Sequence, residues 1–191
     1  MQPLPRIKLT HYPNRLYLAQ GDRNTTDITM TDLNSTLEGG CTCGEVRYRL
    51  RAAPLIVHCC HCRSCQRETG SAFVINALIE SAEVDVLKSP PELINTPSAS
   101  GKGQLIARCP VCHVAVWSHY AAAGKLTSFI RVGTLDQPDA LPPDIHIFTS
   151  TRQPWVKLPD DATAVPEFYT LADYWPAASL TRLNALLAAA R

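Results

Sequence analysis

The sequence predicts a mainly β fold: a small antiparallel-sheet domain stapled by zinc, with a C-terminal helix. Short apolar segments separated by polar turns recur between residues 46 and 148, a pattern typical of antiparallel sheets. The eight cysteines all lie in three short clusters, within residues 41–43, 59–65 and 109–112. An alanine- and leucine-rich segment follows Pro176, and this composition favours a helix.

The composition excludes several classes of protein. The formal net charge is +1 over 191 residues, so nothing favours binding to nucleic acid or to an anionic membrane. No run of ~18 apolar residues suits a membrane span, and the first residues lack the apolar core of a signal peptide. We therefore expect a cytoplasmic chain. In that compartment thiols stay reduced, and closely spaced cysteines indicate metal binding rather than disulfides.

Three segments are expected along the chain. Residues 1–36 are polar and irregular, and we expect a flexible N-terminal extension there. Met30 is a candidate start, which leaves two interpretations of the preceding residues: an upstream read-through or an ordinary N-terminal arm. Residues 37–170 carry the β signals and every cysteine, and residues 171–191 form a helical tail.

The predicted strands are identified by alternation or by continuous apolar runs. Residues 46–50 and 83–87 alternate apolar and charged side chains, as half-buried strands do. Residues 72–79 form a mostly apolar run, long enough for a central strand. The proline-containing stretch 90–97 breaks the pattern, and 98–103 predicts a loop. Further strands are predicted over residues 55–57, 104–108, 114–118, 126–132 and 144–148.

The tail predicts an amphipathic helix. Leu180, Leu183, Leu186 and Leu187 fall on one helical face. The opposite face has no basic stripe, which disfavours a membrane surface. We expect the helix to pack on the sheet or on a partner subunit, so a homo-oligomer stays open.

The outer two cysteine clusters predict one closed zinc site. A structural zinc takes four tetrahedral ligands, often thiolates supplied as two closely spaced pairs. Cys41 and Cys43 form one pair, and Cys109 and Cys112 form the other. His113 follows the second pair where a glycine is usual, and histidine tolerates a positive φ better than most residues. The alternative is ordinary buried thiols, which are common in protein cores.

The central cluster predicts a second, open zinc site. Residues 57–60 continue an extended apolar run, and side chains along a strand alternate between faces. Cys60 and Cys62 therefore share one face, with Cys65 following at a chelating spacing. Three protein ligands leave the fourth tetrahedral position for water or substrate, as in catalytic zinc sites.

A fourth protein ligand would close this central site. His58 is in phase with Cys60 and is the first candidate, and Cys59 is the second. His61 falls on the opposite face and is expected to be a packed or surface residue. The residues alone leave the open and closed alternatives equal.

Several motifs resemble the glutathione-dependent formaldehyde-activating enzyme family, also called the CENP-V/GFA domain. The resemblance spans about residues 38–160 and rests on the order and spacing of the cysteines. Cys59 has no fixed role in the family, and His113 replaces the usual glycine. The matching segments are residues 38–48, 60–67, 70–73, 109–112, 133–136, 146–148 and 154–155.

The resemblance implies a zinc-stapled β fold, similar in architecture to methionine sulfoxide reductase B. It implies two zinc ions per chain, one structural and one labile. It also implies a carbon–sulfur lyase that interconverts S-hydroxymethylglutathione with glutathione and formaldehyde. Carried over, the structural ligands are Cys41, Cys43, Cys109 and Cys112, and the catalytic ligands are Cys60, Cys62 and Cys65.

Substrate binding is predicted beside the central cluster. Arg67 is positioned to pair with glutathione carboxylates, and Gly70 and Ser71 allow close approach of a substrate backbone. Two other classes of function remain open. One is a glutathione or thiol carrier without catalysis, and the other is a purely structural zinc module for protein contacts.

Overall fold

The computed structural model describes residues 37–98 and 100–190 and contains ten strands in two sheets. The expectations for residues 1–36 lie outside the described residues. The mainly β prediction with a C-terminal helix is confirmed. The strands are β1 (Leu37–Gly40), β2 (Arg47–Leu50), β3 (Ile56–Cys60), β4 (Val74–Glu80), β5 (Val84–Val86), β6 (Glu92–Thr96), β7 (Gln104–Arg108), β8 (Ala115–Tyr120), β9 (Thr127–Arg131) and β10 (Ile145–Ile147).

The two sheets differ in size and pack through one apolar core. The small sheet has the order β1-β2-β5, and the large sheet has the order β10-β3-β4-β9-β8-β7-β6. Tyr48 of the small sheet is fully buried and meets Trp117 of the large sheet edge-on, with ring centroids 5.7 Å apart. Ala77, Ile79 and Ile130 of the large sheet join the same core. Burial of each large apolar side chain contributes about 1.5–3 kcal/mol.

The other face of the large sheet is covered by the C-terminal segment. Three α-helices lie within the described residues: α1 (Arg63–Thr69), α2 (Leu171–Tyr174) and α3 (Ala177–Ala189). Leu183 of α3 and Trp175 are buried with Leu78 and Ile147 of the sheet. No helix within residues 37–98 and 100–190 is long and apolar enough to cross a membrane.

The structure differs from the predicted strand pattern in two places. Strand β6 forms within the stretch that was predicted to break the sheet. Pro91 and Pro97 flank this strand, which lies at the edge of the sheet and pairs with β7. Because both prolines lie outside the paired residues, the N–H groups that they lack remove no hydrogen bond from the sheet. Strand β10 pairs with β3 in parallel, with His146 opposite Cys59, whereas the other paired strands run antiparallel.

Candidate metal centres

The outer cysteine pairs meet in space. The sulfurs of Cys41, Cys43, Cys109 and Cys112 all lie within 4.8 Å of one another. The Sγ atoms of Cys41 and Cys43 are 3.5 Å apart, and those of Cys43 and Cys109 are 3.6 Å apart. Sulfurs bound tetrahedrally at about 2.3 Å from one zinc ion would be about 3.8 Å apart. The donor set and its spacing therefore fit zinc.

Tight turns shape both halves of this cluster. The N–H of Gly44 donates to the carbonyl of Cys41 at 3.1 Å, and Gly44 has a φ of 74°. The N–H of His113 likewise donates to the carbonyl of Cys109 at 3.0 Å, with a φ of 60° at His113. The prediction that His113 accepts the left-handed conformation is confirmed. Each turn brings its two thiols to the same side of the backbone.

The surroundings of Cys41 favour its thiolate. Burial opposes ionisation, but the backbone N–H of Val46 donates to the sulfur at 3.3 Å, and the thiols of Cys109 and Cys43 add further hydrogen bonds. Together these bonds lower the pKa of Cys41 to about 6. The thiolate is the form of cysteine that binds metal.

The central cluster gathers three sulfurs. Cys60 ends β3, Cys62 is the N-cap residue of α1, and Cys65 lies in the first turn of that helix. Their sulfurs lie within 4.8 Å of one another. The backbone N–H of Cys65 donates to Sγ of Cys62 at 3.4 Å. A strand end followed directly by a capped helix thus forms a three-thiol chelate.

Hydrogen bonding within the cluster favours ionisation at one position. The thiols of Cys60 and Cys65 donate to Cys62, and these bonds lower the pKa of Cys62. The same bond with Cys62 raises the pKa of Cys60. The cluster therefore contains a ready thiolate acceptor at Cys62, as a zinc ligand set requires.

Cys59 faces the opposite side of the strand. Its sulfur lies 3.6 Å from Nε2 of His61, and that nitrogen is 3.0 Å from Nδ1 of His146. Cys59 and His61 are buried, and Nδ1 of His61 has no hydrogen-bond partner within the described part of the chain. The ligand atoms of these three residues also lie within 4.8 Å of one another. Cys59 therefore does not complete the central cluster.

His58 is buried and engaged elsewhere. Its Nε2 lies 2.5 Å from the hydroxyl oxygen of Tyr169, and the indole N–H of Trp175 donates to that same oxygen at 2.9 Å. Burial lowers the pKa of His58 to about 4, so the imidazole is neutral near pH 7. Its ligand nitrogens do not gather with the three central sulfurs.

The three central cysteines face a cavity of about 490 Å³. Its floor is one face of the large sheet, where His58, Asn76 and Arg131 lie side by side on β3, β4 and β9. Nη1 of Arg131 donates to Oδ1 of Asn76 at 2.6 Å. Side chains of the C-terminal segment cover the cavity on the other side. A fourth ligand position at the cysteines can therefore open into this cavity.

Sequence reasoning did not identify the polar floor of this cavity. Arg131 stands at the end of an apolar strand pattern, and Asn76 interrupts an apolar run. Each is a polar residue within a predicted strand, which was the signal available. Tyr120 also lines the cavity, and burial raises the pKa of its hydroxyl, with the central cysteines adding to the effect.

The predicted substrate-binding residues lie outside the cavity. Arg67 is exposed on α1, and Gly70 follows that helix in the left-handed conformation, with a φ of 63°. Ser71 is exposed and bonds the carbonyl of Phe73 at 2.8 Å. None of the three lines the space in front of the central cysteines. Their role in binding stays a prediction.

Comparison with known proteins gives one family match. The model of the glutathione-dependent formaldehyde-activating enzymes matches residues 36–151. No curated protein matches the chain. A crystal structure of a Rhodobacter sphaeroides protein is similar, with 18% sequence identity and a TM-score of 0.40, over 52% of this chain and 88% of that one. The family match spans more than half of the chain and contains the cysteines of both predicted zinc sites. This chain therefore belongs to the glutathione-dependent formaldehyde-activating enzyme family.

Proposed function

We propose that this protein is a carbon–sulfur lyase that depends on zinc and interconverts an S-hydroxymethyl adduct with its free thiol and aldehyde. The thiol is glutathione or another thiol. The observation that carries the proposal is the arrangement of Cys60, Cys62 and Cys65, whose sulfurs lie together and line an apolar cavity. The family match is consistent with this chemistry.

The reaction balances without an external oxidant or reductant. In the cleavage direction the carbon–sulfur bond breaks and its electron pair leaves with sulfur. The hydroxyl oxygen forms the carbonyl double bond to the same carbon, and its proton passes to the sulfur. Addition runs the same steps in reverse.

Two zinc ions per chain are proposed. Cys41, Cys43, Cys109 and Cys112 would hold the structural ion, and Cys60, Cys62 and Cys65 would hold the second. When bound at three thiolates, zinc supplies a positive centre that favours the ionised form of a thiol and polarises a carbonyl oxygen.

Residues of the cavity would perform the remaining tasks. The tail residues that line the cavity would limit the access of water to the cysteines, which would strengthen electrostatic interactions there. Arg131 places a buried positive charge near Cys65. The bond with Cys60 lowers the pKa of the Cys65 thiol, but the bond with Cys62 and burial raise it to about 11, and Arg131 offsets part of that rise. The hydroxyl of Tyr120 is held in its neutral form and can exchange a proton with the adduct oxygen.

An exchange experiment tests this function. The rate of exchange between a thiol, formaldehyde and their adduct would be followed by NMR with native protein, Cys62→Ser and Cys59→Ser at equal concentration. We expect acceleration by the native protein and by Cys59→Ser, and none by Cys62→Ser. A free thiol adds to formaldehyde without a catalyst, so equal rates in all samples would indicate a thiol carrier or a structural zinc module.

A further inference from the structure

We propose that the cavity beside Cys60, Cys62 and Cys65 selects a thiol adduct with an apolar body, such as an aromatic or branched alkyl group, in preference to a charged peptide thiol. The inference rests on the lyase function proposed above and specifies its substrate class. It follows from the origin of the cavity wall, from the charges that face the cavity and from its volume.

The wall opposite the cysteines is apolar and comes from the C-terminal segment. The family model ends at residue 151, so this wall is built by residues beyond the shared domain. Tyr169 and Trp175 fix the segment to His58 through the shared phenolic oxygen. The tail residues that line the cavity are Phe168, Leu171, Trp175, Leu183 and Leu187.

Few charged groups face this space. Among the described residues that line it, the carboxylate and guanidinium groups are those of Glu68 and Arg131. Glu68 is already paired with Arg108. Glutathione carries two carboxylates and one ammonium group, and a charge that leaves water requires a partner of opposite sign. Arg131 could pair with one carboxylate, and the cavity provides no partner of opposite sign for the other two charges.

The guanidinium of Arg131 can pair with one negative charge. Arg131 is 5% exposed, and its guanidinium donates a hydrogen bond to Asn76. No carboxylate in residues 37–98 or 100–190 lies within ion-pair distance of it. A buried guanidinium requires an anion, and ionised sulfur at the cysteine end of the cavity supplies one. A thiol whose only ionisable group is its sulfhydryl, and which forms an uncharged adduct, therefore matches the charges of the site.

The volume agrees with a small apolar ligand. About 490 Å³ lies within the range of small-molecule sites, which are mostly apolar and have a few placed polar groups. Benzyl mercaptan is a suitable probe because it combines one thiol with one aromatic ring. Glutathione is the matched peptide thiol.

The test compares the two thiols on native protein and on two variants. For each thiol, the exchange rate with formaldehyde is divided by the uncatalysed rate at equal thiolate concentration, and binding is measured by calorimetry. We expect the native protein to accelerate benzyl mercaptan exchange at least about tenfold more than glutathione exchange. Phe168→Ser removes a cavity side chain that is 53% exposed and should lower the benzyl mercaptan acceleration roughly fivefold. Trp155→Ser, at a position 71% exposed and outside the cavity, should leave the acceleration of both exchange reactions unchanged.

The outcomes separate this inference from the lyase function. Equal or greater acceleration of glutathione exchange, or no effect of Phe168→Ser, overturns the apolar preference and leaves the lyase standing. If neither exchange is accelerated, the lyase proposal fails and calorimetry decides the preference. Tighter binding of benzyl mercaptan that Phe168→Ser weakens would then support it, and equal binding of the two thiols would overturn it.

Discussion

The phenolic oxygen of Tyr169 lies 2.5 Å from Nε2 of His58, and it also accepts a hydrogen bond from Nε1 of Trp175 at 2.9 Å. One tail hydroxyl thus satisfies two buried groups, one on the strand that leads into the central cysteines and one in the tail itself. This atom therefore links the tail to the sheet beside the cavity, together with the ion pair between Arg182 of α3 and Glu80 of β4.

Tyr169→Phe should therefore destabilise the tail. The variant leaves the indole N–H of Trp175 and the His58 nitrogen without their partner, at a cost of about 1–3 kcal/mol in the free energy of unfolding. Urea denaturation measures this loss, and zinc content should not change. Tyr174→Phe is the control, because Tyr174 is 42% exposed and its ring, which the substitution keeps, contacts the ring of Tyr169. Equal loss in both variants would contradict the assigned role of the Tyr169 hydroxyl.

Cys109→Ser should prevent folding. Cys109 is fully buried in the four-sulfur cluster, and metal binding at such sites supplies on the order of 10 kcal/mol, comparable to the whole stability of a domain. We expect insoluble or unfolded protein by circular dichroism. Val111→Ser alters the same turn at a position 64% exposed and should fold normally. A folded Cys109→Ser with unchanged zinc content would show that this thiol is not a ligand.

Cys62→Ser and Cys59→Ser should differ in zinc content. Their side chains leave the strand region on opposite faces, and only Cys62 lies with Cys60 and Cys65. Elemental analysis is expected to give two zinc ions for the native chain and for Cys59→Ser, and one for folded Cys62→Ser. A native chain with three zinc ions that loses one in Cys59→Ser would instead assign a metal to Cys59, His61 and His146.

The stability should fall in acid partly through His146. Burial lowers the pKa of His146, and the nearby Arg152 adds to the effect. The folded state therefore takes up this proton at lower pH than the unfolded chain, whose histidine pKa is about 6.5. The contribution is fully present above about pH 6.5 and is lost as the pH falls through the lower folded pKa.

His146→Gln tests this dependence. The glutamine oxygen can still accept a hydrogen bond from Nε2 of His61 but does not titrate. Between about pH 7 and about pH 5, the free energy of unfolding should fall less steeply with pH in the variant than in the native protein. The difference in slope should correspond to the uptake of less than one proton on unfolding. Identical slopes in the two proteins would mean that His146 titrates alike in the folded and unfolded states.

Much of the candidate site could be predicted from the sequence, because the alternation of side chains along a strand depends only on neighbouring residues. It separated Cys59 from Cys60 and Cys62, and it placed His61 on the opposite face from the central cluster. Short cysteine spacings likewise paired residues 41–43 with 109–112 through the requirement for four ligands. The left-handed turn at His113 followed from the intrinsic tolerance of one residue type.

The remaining features depend on tertiary contacts that no local pattern encodes. Alternation does not give strand direction, so the parallel pairing of β10 with β3 was not foreseen. Asn76 and Arg131 are buried as hydrogen-bonded partners because β4 and β9 lie side by side, and neither strand alone indicates that pairing. The leucines of the tail predicted a helix that packs, but not that Phe168 and Trp175 would cover the central cysteines.

The position of β3 also constrains the order of folding. Its two neighbours are β4, which follows soon after it in sequence, and β10, whose Ile145 lies opposite His58. The Cys43–Cys109 contact likewise spans 66 residues. Closing such long loops costs entropy before any pairing is gained, and folds dominated by distant contacts form slowly. During synthesis, Cys41 and Cys43 therefore emerge from the ribosome well before Cys109 and Cys112, and their thiols must stay reduced until those partners arrive.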